Sequence, residues 1–533
     1  MSPDASTERP DIGPRMLLAF DGPTPPPWLT DVMASSDVAG VTLFRASNIV
    51  DPEQTRKLTA TLQSSRGGTL PLLIAVDQEG GQLRGAGAGT TAFPGNMAVG
   101  ATGDPALARR VASATGRELA ALGINVDYAP VCDIASNQAN PSLGIRSFGA
   151  DPERVAALSA ATVSGLAEAG IAAVAKHFPG KGEATIDPHW ALPSLSVDAA
   201  RLESFELVPF RAAMSAGASM LMVGHYDVPA ITGAPGTPTS VSRDAVWFAR
   251  SRLGFDGVVI TDAMDMHALG QGAESIVEAI AALAAGVDVL LCVGDASSQQ
   301  ALRAGLARAL QRGLIAHTDH DAAVARIAAL REHVEPLVQP DLDVVGCAAH
   351  ADLAAEAAAR ALTLVRDGAV LPLSPGPDDT VVAVIPEPRD LTPADTSSAE
   401  PAALGDALRR HHGRTVEVRT RHSPTSADIE AVRRAAAGAR YVVVATIDAW
   451  ANPAQAALVD SVLDLGGDVV TVAVRNPHDL VAYPGAPTYA CTYGIVEPSL
   501  GALAAALFGA AGFPGTLPAP IPGLYPTGHG VRT

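Results

Sequence analysis

Between Lys176 and His189 the chain gathers two lysines, two histidines and two acids in a stretch with no helical period. Such a segment reads as a long loop at the rim of a sheet. Within it Asp187 and His189 flank Pro188, whose ring restricts the backbone. The carboxylate can then hydrogen-bond one ring nitrogen and leave the other facing a pocket, an arrangement that orients and charges an imidazole for proton transfer. The competing reading is a structural anchor for the loop. A second segment, residues 257–266, reads Gly-Val-Val-Ile-Thr-Asp-Ala-Met-Asp-Met and puts Asp262 directly after a buried apolar run. A carboxylate there suits attack on an anomeric carbon, with a second group protonating the departing oxygen and later activating water. Asp265, three residues on, reads as a cap or first-turn residue of the next helix.

Groups this far apart in sequence meet only if the fold carries strand ends to one place. From about residue 17 to residue 293, short apolar runs alternate with longer Ala-rich amphipathic stretches, the pattern of repeated β-α units. Eight strands are predicted, over residues 17–20, 40–44, 70–77, 124–134, 170–178, 219–225, 257–262 and 288–293. Eight favour a (β/α)8 TIM-type barrel over an open doubly wound sheet, for which no GxGxxG fingerprint is present. In a barrel the C-terminal strand ends converge on one mouth. The residues expected there are ionisable: Asp77, Asp127, Asp133, Lys176, His177, His225 and Asp262. Such groups are expensive beside an apolar core unless paired, so their coincidence marks a functional cluster. Neither of two glycine-rich turns reads as a phosphate loop, because no Lys-Ser or Lys-Thr follows Gly85, Gly87 and Gly89, and in Gly180-Lys181-Gly182 a glycine without a hydroxyl follows the lysine.

After the eighth strand a helical stretch, 298–332, leads to a Pro- and Asp-containing passage at 334–345. A second α/β unit starts near His350, with strands predicted over 380–385, 415–419, 441–447, 469–474 and 489–493 and helices over 353–365, 427–437 and 453–465. The expected division is a barrel over 1–335, a linker over 336–349 and a smaller α/β sandwich over 350–533, in keeping with 533 residues that are 48% apolar. A formal charge of −19 argues against a nucleic-acid partner. Cys132, Cys292, Cys347 and Cys491 are too scattered for a disulfide framework or a structural zinc site. Residues 1–14 lack a basic start followed by an apolar run, and no apolar run is long enough to span a bilayer, so a cytoplasmic address without a membrane partner is expected. Of only three lysines, Lys57, Lys176 and Lys181, two fall in the rim loop.

Together these segments resemble glycoside hydrolase family 3, in particular its β-N-acetylhexosaminidase branch with a C-terminal domain. The resemblance runs through Val76-Asp77-Gln78-Glu79-Gly80-Gly81, Asn125-Val126-Asp127-Tyr128-Ala129-Pro130-Val131, residues 143–149, the Lys-His-Phe-Pro-Gly start of the rim loop, Asp187-Pro188-His189 and Thr261-Asp262. In the second unit it includes Arg475-Asn476-Pro477-His478-Asp479-Leu480, Thr492-Tyr493-Gly494 and Leu517-Pro518. It implies that Asp262 forms the glycosyl-enzyme bond, that His189 is the acid/base with Asp187 behind it, and that Asp77, Arg146, Lys176 and His177 hold sugar hydroxyls through charge-assisted hydrogen bonds. Arg84 and His225 join the expected substrate-binding set. The chain also departs from the pattern. Gln82-Leu83-Arg84-Gly85 stands where relatives carry Arg-Val-Xaa-Arg, Lys181 and Glu183 stand where His or Arg and Asp are usual, and Pro188 replaces Ser.

The implied activity is retaining exo-hydrolysis of β-linked N-acetylglucosamine from cell-wall-derived or related amino-sugar glycosides, with a small carbohydrate as partner and no cofactor or metal. Phosphorolysis at the same site stays open, because a histidine repels an incoming anion less than a carboxylate does. A β-glucosidase, a metal-dependent hydrolase using His177, His189, His225 and Asp262, and a non-catalytic sugar-binding barrel are the other readings. The oligomeric state is not read from the sequence.

Overall fold

The computed structural model describes residues 11–335, 339–401 and 403–532. Most of the leader-free start expected over 1–14, and positions 336–338 of the expected linker, lie outside the described residues. Eight parallel strands close into a barrel: β1 (Met16–Leu18), β2 (Gly40–Thr42), β3 (Leu73–Val76), β4 (Val126–Asp127), β5 (Ala172–Phe178), β6 (Met220–Val223), β7 (Val258–Ala263) and β8 (Val289–Cys292). Each pairs with its neighbour in sequence, and β1 pairs with both β2 and β8. The runs are apolar on both faces because helices cover the outside and side-chain layers fill the inside. Helices Pro105–Ala121 and Pro152–Glu168 show how crisply the sequence starts them. Asp104 and Asp151 accept from first-turn N–H groups, and a proline follows each at the position where no N–H is needed.

All eight predicted strands are present, but β4 is far shorter than residues 124–134. Past Asp127 the ladder turns irregular, with Tyr128 N still donating to the Val76 carbonyl and Val174 N to the Ala129 carbonyl, and Pro130, which has no N–H to give, precedes the isolated bridge of Val131 to Lys176. The helical stretch predicted at 298–332 is two helices, Ala296–Gln311 and His317–Val334, parted where Gly313 takes a φ of 73°.

The second unit is a six-stranded sheet with helices: β9 (Thr363–Arg366), β10 (Val381–Pro386), β11 (Thr415–Thr420), β12 (Tyr441–Thr446), β13 (Asp468–Ala473) and β14 (Tyr489–Cys491), in spatial order β9-β14-β13-β12-β10-β11. Only β9 runs antiparallel to its neighbour. Strand β9 falls where a helix was predicted to continue to 365. The helix Ala348–Ala361 stops first, and Thr363-Leu364-Val365 takes the extended form that β-branched residues favour. The two units share an apolar core, in which Met97, Ala98 and Ile145 of the barrel loops pack with Val442, Tyr483 and Leu517. Among the described residues no helix is long and apolar enough to cross a membrane.

At the end of the barrel away from the mouth, the buried Asp288 carboxylate meets Arg250, Arg326 and the Val259 N–H, while Arg15 Nε donates to the Asp288 carbonyl at 3.0 Å. Removing the carboxylate leaves arginines facing one another in a desolvated floor. Asp288→Ala is expected to lose about 3 kcal/mol of stability, read as a lower denaturant midpoint; a midpoint equal to that of the parent protein would contradict this account.

Candidate active site

Strand ends β3, β4, β5 and β7 deliver charged side chains to the mouth, as the barrel geometry requires. Just beyond β3, Asp77 and Glu79 converge on Lys176 of β5, with Nζ to carboxylate distances of 2.5 Å and 2.6 Å. Glu79 also receives a bidentate pair from Arg146, Nε at 2.9 Å and Nη2 at 2.8 Å. Burial alone would raise the Glu79 carboxyl, but Arg146 and Lys176 more than reverse it and hold it down at about 2. Burial likewise opposes the Lys176 ammonium, yet the charges of Asp77 and Glu79 prevail and its pKa is raised. Glu79, Arg146 and Lys176 are therefore ionised throughout the neutral range.

His177, next along β5, donates from Nδ1 to Asp133 at 2.7 Å, and Arg146 Nη2 lies 3.4 Å from its Nε2. Burial first, then Lys181 and Arg146, push its pKa well down, so this imidazole is neutral. The rim loop is built as expected around His189. Its Nδ1 lies 2.6 Å from Asp187 Oδ1, and its backbone N–H donates to the same oxygen at 3.0 Å. Burial works against the Asp187 carboxylate, but the hydrogen bond and charge of His189 lower its pKa overall. The loop is pinned to the segment after β7, because His267 N donates to the His189 carbonyl at 3.3 Å and Ala268 N to the Pro188 carbonyl at 3.0 Å. That segment follows Asp262, whose Oδ1 accepts from Ala263 N at 2.9 Å and which forms no ion pair among the described residues. Asp262 and His189 line one cavity of about 530 Å3, together with Asp77, Arg146, Lys176 and His177. Its volume and mixed polar and apolar lining suit a sugar-sized ligand.

Two of the expected substrate-binding residues stand behind this wall rather than on it. Arg84 is buried, with Nη1 donating to Glu400 at 2.6 Å and Nη2 to the Thr90 carbonyl at 2.9 Å, while its neighbours Leu83 and Gly85 line the cavity. His225 is also buried, with Nδ1 2.6 Å from Ser240 Oγ and Nε2 3.0 Å from the Ala263 carbonyl. It thereby fixes the backbone one residue past Asp262. With both nitrogens of His225 occupied, and those of His177 facing Asp133 and Arg146, the four-residue metal set has no free imidazole pair. Among the described residues no group of three or more His, Cys, Asp or Glu side chains is arranged to hold a metal ion.

Sequence reasoning missed the roof. Residues 390–399 of the second unit reach over the mouth and bring Thr392, Asp395 and Ser398 to the cavity. This loop is stitched to the barrel at Gln82, Arg84 and Arg45. Thr396 N donates to the Gln82 carbonyl at 2.7 Å, Arg84 N to Thr396 Oγ1 at 3.1 Å, and Arg45 Nη1 to Glu400 at 3.1 Å. The unusual Gln82-Leu83-Arg84 run was the only available signal. Glu79, Tyr128 and Arg45 were also not singled out; Tyr128 is held by an Oη to Thr42 Oγ1 contact of 2.7 Å and lines the cavity beside Arg45.

The geometry has counterparts in known proteins. The profile of the glycosyl hydrolase family 3 N-terminal domain matches residues 28–330, more than half of the chain. The Beta-hexosaminidase A of Pseudoalteromonas piscicida is 35% identical over 379 residues, 66% of this chain and 63% of its own length. The Beta-N-acetylglucosaminidase/beta-glucosidase of Cellulomonas fimi is 34% identical over 366 residues, again 66% and 63%. The chain thus spans less than two thirds of either relative. A solved family 3 beta-N-acetylglucosaminidase from Paenibacillus sp. str. FPU-7 is 32% identical and superposes with a TM-score of 0.89 over 96% of this chain and 98% of that one. Family profile, sequence relatives and superposition agree with one another, and the chain belongs to glycosyl hydrolase family 3.

Proposed function

We propose that this protein is a retaining exo-β-N-acetylglucosaminidase acting on cell-wall-derived or related amino-sugar glycosides. The observation that carries the reading is the pairing, in one cavity, of an unbridged carboxylate at the end of β7 with an imidazole oriented by its own aspartate. In the first step an Asp262 oxygen bonds to the anomeric carbon as the glycosidic C–O bond breaks. His189 delivers the proton from Nε2 to the leaving oxygen, and Asp187 steadies the imidazolium from the other side. In the second step water attacks the anomeric carbon, the bond to Asp262 breaks, and the water proton passes to His189. Asp77, Arg146, Lys176 and neutral His177 take the sugar hydroxyls in this reading; the ion pairs of Asp77 and Lys176 leave both with directions to spare for a ligand. Residues 1–335 are the catalytic unit in this reading, and 350–533 supply the roof. The names of the Pseudoalteromonas, Cellulomonas and Paenibacillus relatives support the choice of sugar. Recycling of wall fragments in the cytoplasm is the setting that fits such a substrate.

Phosphate in place of water is the second reading, favoured by the neutral-to-cationic acid/base and by the charge of Lys181 at the cavity. With phosphate present, free N-acetylglucosamine is expected to remain the main product; a sugar 1-phosphate as main product would replace hydrolysis with phosphorolysis.

Asp262→Asn is expected to abolish turnover and to form no adduct with a 2-fluoro sugar, whereas the parent protein should yield a labelled peptide containing Asp262. A label on any other residue would refute the assigned nucleophile. His189→Ala is expected to lower kcat/KM by roughly 10²–10⁴-fold on unactivated glycosides. Substrates with good leaving groups should recover the first step only, leaving breakdown of the intermediate slow. Equal losses on activated and unactivated substrates would remove His189 from the acid/base role.

A further inference from the structure

Lys181 is fixed by its backbone and left free at its tip. Its N–H donates to Asp133 Oδ1 at 2.8 Å, and its carbonyl accepts from Asn140 Nδ2 at 2.7 Å and from the Ala184 N–H at 3.0 Å. The residue is only 2% exposed and lines the same cavity as Asp262 and His189. No hydrogen bond or ion pair reaches its Nζ among the described residues. An ammonium carries three donors, and with the stem buried and the tip open to the cavity these donors meet only what the cavity holds. Lys176 shows the opposite arrangement a few residues away, with Asp77 and Glu79 both on its ammonium. Of the groups facing Lys181, Asp133 follows β4, Arg146 lies on the short helical turn Gly144–Arg146, His177 is on β5, Asp187 is on the same rim loop and Asp262 ends β7.

We propose that Lys181 is a substrate-binding residue, whose ammonium is the donor kept for an oxygen of the sugar lodged beside Asp262. This rests on the glycosidase reading and adds to it a contact and a pH limit. Burial, and next the Arg146 charge, bring the Lys181 pKa down to about 8, against the pull of Asp133, Asp262 and Asp187. A lowered pKa means the charged donor is present below about 8 and is lost as the pH rises through that value. Arginine at the same place keeps its charge over this range.

The test is calorimetric binding of N-acetylglucosamine between about pH 6.5 and pH 9.5, with turnover of its p-nitrophenyl β-glycoside measured in parallel. Affinity of the parent protein is expected to fall about tenfold as the pH rises through 8. Lys181→Met should bind about tenfold more weakly at pH 6.5 and show no such fall. Lys181→Arg should bind at pH 6.5 within a few-fold of the parent and also lose the fall. Parent-like affinity and pH dependence in Lys181→Met would overturn the proposal. If that variant does not fold, Lys181→Arg decides alone, because a fall unchanged from the parent would overturn it too. A parent protein that binds the sugar in this pH-dependent way without turning over the glycoside would sink the hydrolytic reading and leave the contact standing. Absence of sugar binding at every pH would sink both.

Discussion

The mouth of this barrel exists because Glu79 is shared. One buried carboxylate serves a bidentate arginine and a lysine, and the same lysine serves Asp77. Taking any one of these charges out of water alone would be prohibitive, whereas together they satisfy one another at hydrogen-bonding distance. The array ties β3 and β5 to the turn carrying Arg146, so three barrel loops cannot move independently. His177 and Asp133 extend it, and the Asp133 carboxylate also holds the Lys181 N–H. The floor of the cavity is thus a single electrostatic body, with the rim loop hung from it.

Much of this was legible before any coordinates. The barrel follows from eight apolar runs, because a fully covered parallel sheet needs strands apolar on both faces. Asp262, Asp187, His189, Lys176 and His177 stand out because strand ends and an aperiodic polar loop betray a mouth. What failed had a physical reason in each case. Strand β4 turns irregular past Asp127, ahead of a proline without an N–H, and β9 emerged from a helical pattern through β-branched residues that pair with a strand more than a hundred positions away. Tertiary pairing of that range leaves no local trace. Arg84 and His225 carry the right chemistry at the right strand ends, yet each is drawn into support of the backbone behind the wall. Residue type and strand position do not distinguish a side chain that faces the cavity from one that faces away.

The second unit is legible as a sheet but not as part of the site. Residues 390–399 carry two acids and four hydroxyls but follow no barrel strand, and their approach to the barrel depends on hydrogen bonds to main-chain atoms of Gln82 and Arg84, which a sequence does not display. Arg84, in the run Gln82-Leu83-Arg84-Gly85, was expected to bind substrate. In the folded chain the same arginine, with Arg45, grips Glu400 from below.

Because that grip joins two separately built sheets, the chamber is assembled from parts with different tolerance for change. The barrel residues are locked into a charge lattice in which any substitution strands a partner. The overhanging ten-residue span is itself held by side chains, since buried Asp395 pairs with Arg475 at 2.6 Å, Thr396 Oγ1 bridges Gln82 and Arg84, and Asp390 accepts from Ser398, whereas Thr392 at the cavity has no hydrogen-bond partner among the described residues. The roof over the cavity can therefore drift at positions such as Thr392 and Pro393 while the anchoring residues and the charged floor beneath stay constant.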